Sequence, residues 1–415
     1  MAISAPLERP LPNVDAGVRA QVGTIETVEG LRGVAVLWVI VFHYCVVRST
    51  GAADPWIAWV DGIPALALVA RNGYLGVDLF FLITGFLLTL PWFRSAMGGG
   101  EAPAAGGFYE RRLRRIVPAY YVQLACLFFV FLPLLRGWLY VRQDAAFLLF
   151  NLGAHATFTH YMTPITSASL SINGPLWTLA LEMQYYLLLP LLAPFFVRAP
   201  LRAAAALVAV AIAWRWSSFH DMETVVRAEM AIGSWWSVPE ATIRQFIASQ
   251  LPGYLGHFAL GILIGRAWLL ARGRAASVAM KVLAAGIALA SLVALHGLYA
   301  GGGARIGELA WLASLGLMAA AMAALVCVES GLASALLGNS ALGFLGRVSY
   351  SAYLYHLPLL LVANHLWPQA DGVSVLPAYF LSVLGVSWLS WRFVELPFMR
   401  SRASPPPRAI PRRAP

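Results

Sequence analysis

Residues Leu31–Val47 read LRGVAVLWVIVFHYCVV, an apolar run broken only by Arg32 near its start and His43 near its end. A helix needs roughly 17–25 such residues to cross a bilayer, and in lipid a helix satisfies every backbone N–H and C=O within one segment. Runs of the same kind recur at Tyr74–Phe93, Ala119–Leu135, Pro175–Phe196, Leu201–Trp216, Leu251–Leu270, Val278–Leu298, Arg305–Val328, Leu345–Leu366 and Val375–Val394. Composition agrees: 60% of the 415 residues are hydrophobic and 12% charged, against roughly 45–50% and 25% in a soluble domain. The chain reads as an all-α, polytopic membrane protein with about ten transmembrane helices. The expected organisation is an N-terminal tail over residues 1–29, a membrane domain over 30–398, and a disordered, basic, Pro-rich tail over 399–415.

The tail before Leu31 carries Glu8, Arg9, Asp15, Arg19, Glu26 and Glu29 and lacks the basic region and small-residue cleavage site of a signal peptide, so the first span is expected to be retained. The formal charge of +10 raises nucleic acid as a partner, but the charge falls in alternate loops, the pattern that sets orientation in a membrane. With Arg111, Arg112, Arg114, Arg115, Arg198, Arg202 and Arg347 on one side, both termini are expected to be cytoplasmic. The expected location is the cytoplasmic (inner) membrane, among lipids and without nucleic acid. The loops Arg136–Gly174 and Ser217–Gln250 would lie outside and cover a site there. Their aromatics serve equally well as interface anchors, the reading preferred for Trp235 and Trp236. Cys45, Cys126 and Cys327 show neither disulfide nor metal-ligand spacing and read as small core residues, so no metal is expected.

Ionisable groups within spans are costly and usually face a polar interior. At about 1.5 Å per residue, His43 lies roughly 18 Å and His356 roughly 16 Å above the inner start of their helices. Asp78 and Glu182, on helices running the other way, lie roughly 6 and 10 Å below the outer edge. All four are expected in one layer, where a His oriented by a carboxylate serves as a general base. The alternative is that each group ties helices together by a buried hydrogen bond. On the inner side, FYERRLRRIVPAYY over Phe108–Tyr121 places Arg112 and Arg115 three apart, on one face if the helix starts early. An Arg fork suits phosphate. A positive-inside anchor is the competing reading, weaker for Arg32 because it begins the helix that carries His43. Glu395 near Arg392 is expected to form a structural ion pair.

These residues bring the chain close to a known family. Arg32 and His43 in the first span, GVDLFF and TGF over Gly76–Phe86, Arg112 and Arg115 before Ile116 and Pro118, LWTL and Glu182 over Leu176–Glu182, SYSAYLYH over Ser349–His356, and Glu395 with Pro397 follow one another in the order of the acyltransferase-3 family. The chain resembles that family of integral membrane O-acyltransferases from about Glu26 to Phe398. Thr84 and Thr178 stand where the family carries Ser, keeping the hydroxyl.

The resemblance implies transfer of an acyl group, most commonly acetyl, from cytoplasmic acyl-coenzyme A to a hydroxyl. The implied acceptor is a surface polysaccharide, lipopolysaccharide or lipid-linked glycan, and glycan-assembly proteins are conceivable partners. His43 would be the base, with Glu182, Asp78 and His356 around it, and Arg32, Arg112 and Arg115 would bind the donor. Direct transfer and an acyl-His43 intermediate both remain open. So do a macrolide-type small-molecule acceptor, a proton-coupled transporter or flippase of a lipid-linked sugar, and a non-catalytic assembly scaffold.

Overall fold

A computed structural model describes residues 26–49, 54–98, 101–137, 145–167, 169–232, 239–271, 276–300, 308–328 and 335–400. The tails 1–25 and 401–415, Arg305, Trp235 and Trp236 lie outside the described residues, so the expectations placed on them are untouched. Ten long helices match the ten apolar runs: α1 Glu26–Arg48, α2 Leu75–Gly98, α3 Ala105–Cys126, α4 Trp177–Arg198, α5 Pro200–His220, α6 Leu251–Ala271, α7 Val278–Ala300, α8 Glu308–Cys327, α9 Ser340–Leu366 and α10 Gly372–Ser390. Among the described residues, eight helical segments are long and apolar enough to cross a membrane, and there is no strand. The other two, α5 and α9, have the length but carry too many polar residues to qualify by composition.

Local chemistry sets several boundaries. Asn339 caps α9 by accepting from the Leu342 N–H at 2.9 Å, and Asp371 caps α10 through the Ser374 N–H at 2.8 Å. Helix α3 begins at Ala105, before the expected Ala119, and continues through a π-helical turn at Leu127–Phe131 into Leu132–Arg136. Arg112 and Arg115 therefore belong to the spanning helix itself. The segments expected to be loops hold short helices, among them Ala145–Ala156, Glu223–Ile232 and Glu240–Ala248.

Glycines govern how closely the central helices approach. A Cβ on Gly346 of α9 would lie 2.1 Å from the Glu29 carbonyl oxygen, and one on Gly30 of α1 would lie 1.9 Å from that of Leu337. Between α2 and α6, a Cβ on Gly85 would meet the Phe258 oxygen at 2.3 Å, and one on Gly261 the Leu82 oxygen at 2.1 Å. Such contacts are the usual means of bringing membrane helices together, where lipid offers no hydrophobic drive between them. They make α1, α2, α6 and α9 a tight unit whose polar side chains turn inward.

At the end away from the arginines, Arg48 clamps three elements. Its Nε donates to Asp54 Oδ2 at 2.7 Å and its Nη1 to Asn364 Oδ1 at 3.1 Å, and it also reaches the Ala370 carbonyl. Asp54 in turn accepts from the Gly372 N–H at 3.0 Å, which ties the ends of α1, α9 and α10 together.

Candidate active site

Close approach of α1 and α9 places His43 against His356. His356 is fully buried, and its Nδ1 faces the carbonyl oxygens of Tyr353 and Ala352 at 2.8 and 3.2 Å. A carbonyl only accepts, so this nitrogen carries the proton and His356 Nε2 presents a lone pair. His43 Nδ1 lies 2.9 Å from the Val39 oxygen and 3.3 Å from His356 Nε2. Facing two acceptors, Nδ1 must be protonated, which leaves His43 Nε2 as the basic nitrogen. Protonation there would yield an imidazolium whose Nδ1–H already has acceptors.

His43 lines a cavity of about 640 Å³ together with Asp78, Trp177, Arg215, Tyr254 and Trp311. We call it the loop-side cavity because Gln245 and Ser249, from the segment joining α5 to α6, close it. A second cavity, of about 110 Å³, is lined by Arg32, Arg112, Arg115, Glu182, Tyr186 and Ser349. Val77 and Tyr353 line both. Tyr353 is fixed between them: its hydroxyl donates to the Pro175 oxygen at 3.0 Å and accepts from Thr178 Oγ1 at 3.0 Å.

The expected single layer is therefore two chambers, and neither carboxylate orients His43. Glu182 accepts a hydrogen bond from Tyr186 and lies with the arginines, while Asp78 Oδ1 lies 3.5 Å from His257 Nε2. Counting residues along a helix gives height and not rotation, and rotation turned Glu182 away from the imidazole. Arg32, Arg112 and Arg115 do converge. Arg32 Nη2 donates to Ser349 Oγ at 2.9 Å, and Arg112 Nε is buried with no hydrogen-bond partner among the described residues. A buried donor without an acceptor is costly unless a ligand supplies one.

Glu395 does not pair with Arg392. Its carboxylate is 2% exposed and accepts from Ser351, while Arg392 lies over the Phe393 ring at 5.8 Å. The π-helical turn Trp391–Glu395 carries Glu395 inward, into electrostatic range of Arg115 and Arg32. It reinforces the arginine chamber.

The sequence alone assigned no role to three residues that line or adjoin the site. His257 is fully buried in α6, and neither ring nitrogen has a hydrogen-bond partner within the usual distance. Arg215, close to the end of the Leu201–Trp216 run, is a buried residue of α5. For both, the available signal was an ionisable side chain in or beside an apolar run, the same signal that singled out His43. Tyr353 was noticed as part of a motif, but its place between two chambers had no sequence signal.

Comparison with known proteins adds an independent line. A family profile described as an acyltransferase domain matches residues 25–392. The chain is 29% identical over 163 residues to "Peptidoglycan O-acetyltransferase OatA" of Listeria monocytogenes, covering 34% of the chain and 25% of that protein. It is 27% identical over 171 residues to "O-acetyltransferase OatA" of Staphylococcus aureus, covering 41% of the chain and 24% of that protein. It is also 34% identical over 151 residues to "Nodulation protein 10" of Rhizobium leguminosarum bv. viciae, covering 34% of the chain and 38% of that protein. The matches thus span a quarter to about two fifths of these relatives' lengths. No solved structure matches the chain.

Proposed function

The chain belongs to the acyltransferase-domain family whose profile it matches over residues 25–392, and from this we propose that it is a membrane O-acetyltransferase acting on a hydroxyl of a glycan. The donor is acetyl-coenzyme A or another acyl-coenzyme A, and the acceptor is a polysaccharide, lipopolysaccharide or lipid-linked sugar. The protein would reside in the cytoplasmic membrane, with its arginine side toward the cytoplasm. The names of the relatives support acetyl as the acyl group and a glycan as acceptor. One observation carries the reading: an imidazole fixed with its basic Nε2 free, in a cavity that shares two wall residues with an arginine-lined chamber.

In this scheme Arg112 and Arg115 hold the phosphates of coenzyme A, for which a planar, permanently charged fork is suited. The pantetheine arm brings the thioester to the wall formed by Val77 and Tyr353. From the other side the acceptor presents its hydroxyl to His43. As the hydroxyl oxygen bonds to the acyl carbon, its proton moves to Nε2, and the imidazolium is stabilised through Nδ1 by Val39 and His356. The C–S bond then breaks and the proton passes to the departing thiolate, giving an ester and free coenzyme A. Acyl transfer by way of His43 uses the same nitrogen.

The experiment uses purified protein in nanodiscs with labelled acetyl-coenzyme A and candidate glycans. His43→Ala is expected to lower transfer by about 10²–10⁴-fold or more while leaving donor binding intact. Arg112→Gln with Arg115→Gln is expected to weaken donor binding by about 10–100-fold, the scale for hydrogen bonds to charged groups. Near-normal turnover of the His43 variant would overturn the mechanism. Movement of a lipid-linked sugar without acetylation would favour a transporter instead.

A further inference from the structure

We propose that Tyr353 is the oxyanion donor of the transfer reaction, its phenol O–H turning from the Pro175 carbonyl to the acyl oxygen as charge develops there. The proposal rests on the acyltransferase reading and adds to it the group that faces the thioester carbonyl. Attack on a thioester moves an electron pair onto the acyl oxygen, and a pre-positioned donor stabilises that charge strongly where water is excluded. His43 supplies a base and the arginines hold phosphate; neither role answers the oxyanion.

Place singles out Tyr353. Among the described residues it is the one polar side chain that lines both the arginine chamber and the loop-side cavity. It is 6% exposed and lies on α9 three residues before His356, with the two ring centroids 5.6 Å apart. Because His356 Nε2 accepts from His43, a single helix carries both the oxyanion donor and the partner of the base.

The hydrogen bonds around Tyr353 allow the turn. Its hydroxyl donates to the Pro175 oxygen at 3.0 Å, and Thr178 Oγ1 lies 3.0 Å from the Tyr353 oxygen and 3.1 Å from that same Pro175 oxygen. Two hydroxyl protons therefore serve one carbonyl. When Tyr353 turns its proton to the acyl oxygen, Thr178 turns its own to Pro175, and neither a donor nor the carbonyl is left unpaired. The exchange needs rotation about two C–O bonds and no movement of a helix. A tie between the start of α4 and α9, the structural role open to Tyr353, needs only one of these protons. In the step itself the acceptor oxygen bonds to the acyl carbon, its proton goes to His43 Nε2, and the carbonyl π pair moves onto the oxygen that Tyr353 holds. That pair re-forms C=O as the C–S bond breaks, and Tyr353 keeps its proton throughout.

Steady-state kinetics of the full-length protein in nanodiscs test this, with acetyl-coenzyme A as donor and a glycan that the native protein acetylates as acceptor. Tyr353→Phe is expected to lower kcat by about 10²–10³-fold, the scale for one oxyanion donor, while acetyl-coenzyme A binds with unchanged affinity. Thr178→Val, which removes the replacement proton, is expected to lower kcat by about two- to tenfold, and Thr178→Ser, which keeps the hydroxyl, to lose less. Mono- and difluorotyrosine installed at position 353 make the phenol a stronger donor, so kcat is expected to rise along that series at a pH where the phenols stay protonated. A mere tie between helices would leave it level. Near-native kcat in Tyr353→Phe, a loss confined to donor affinity, or a kcat indifferent to fluorination overturns the proposal. If Tyr353→Phe fails to fold, the fluorotyrosine series decides. A native protein that acetylates no glycan sinks the acyltransferase reading, and this inference falls with it; acetylation by the native protein together with any of the contrary results sinks this inference alone.

Discussion

At the scale of single residues, the imidazole pair shows how partners decide chemistry. His356 serves His43 as a hydrogen-bond acceptor, so His356→Ala is expected to reduce turnover by less than the 10²–10⁴-fold that a general base itself supplies, with donor affinity unchanged. Steady-state kinetics beside donor titration will check it. A second histidine pair lies between α3 and α4, where His155 and His160 stack with centroids 4.2 Å apart. Burial, then the neighbouring His155, lowers the pKa of His160 to about 3. A histidine held neutral contributes stability above its unfolded pKa of about 6.5, and that contribution is lost as pH falls from there toward the folded value. Thermal melts are therefore expected to decline below about pH 6.5, and His160→Gln should flatten the slope. His43, Arg32, Arg112 and Arg115 were legible because ionisable side chains in apolar runs are conspicuous. Which carboxylate faces His43 was not, since residue spacing is silent on helix rotation.

At the scale of elements, the short motifs acquire a packing meaning. Gly85, in the TGF motif, lets α2 lie against α6, and Gly76 does the same toward α1, where a Cβ would meet the Ala35 oxygen at 2.5 Å. The obstructing atoms are backbone and cannot rotate aside. Gly261→Ala, whose Cβ would fall 2.1 Å from the Leu82 oxygen, is expected to destabilise by about 1–3 kcal/mol; the melting temperature in detergent measures it. Gly286→Ala on α7, with nothing near its Cβ, is the matched control. Hydropathy located all ten long helices to within a few residues at most ends. It erred most at α3, where FYERRLRR is too polar to register as part of a span, although its helical continuity puts Arg112 and Arg115 on the chamber wall. The polarity of α9 similarly marks the helix that carries Ser349, Tyr353 and His356 into the centre.

At the scale of the whole molecule, the alternation of charge argues that both ends of the chain face the cytoplasm. Reporter fusions at each terminus are expected to read out on that side, and opposite sidedness of the two would contradict an even number of crossings. Hydropathy and charge could suggest this arrangement, because they report on partition between water and lipid. They could not reveal chambers, which arise where ten helices fail to fill the space between them. The two voids share Val77 and Tyr353 in their walls. Under the proposed function, a wall held in common would let a reactive carbonyl change sides while the two chambers stay distinct, so that molecules on the far face would be modified while the stock of activated acetate stays at home.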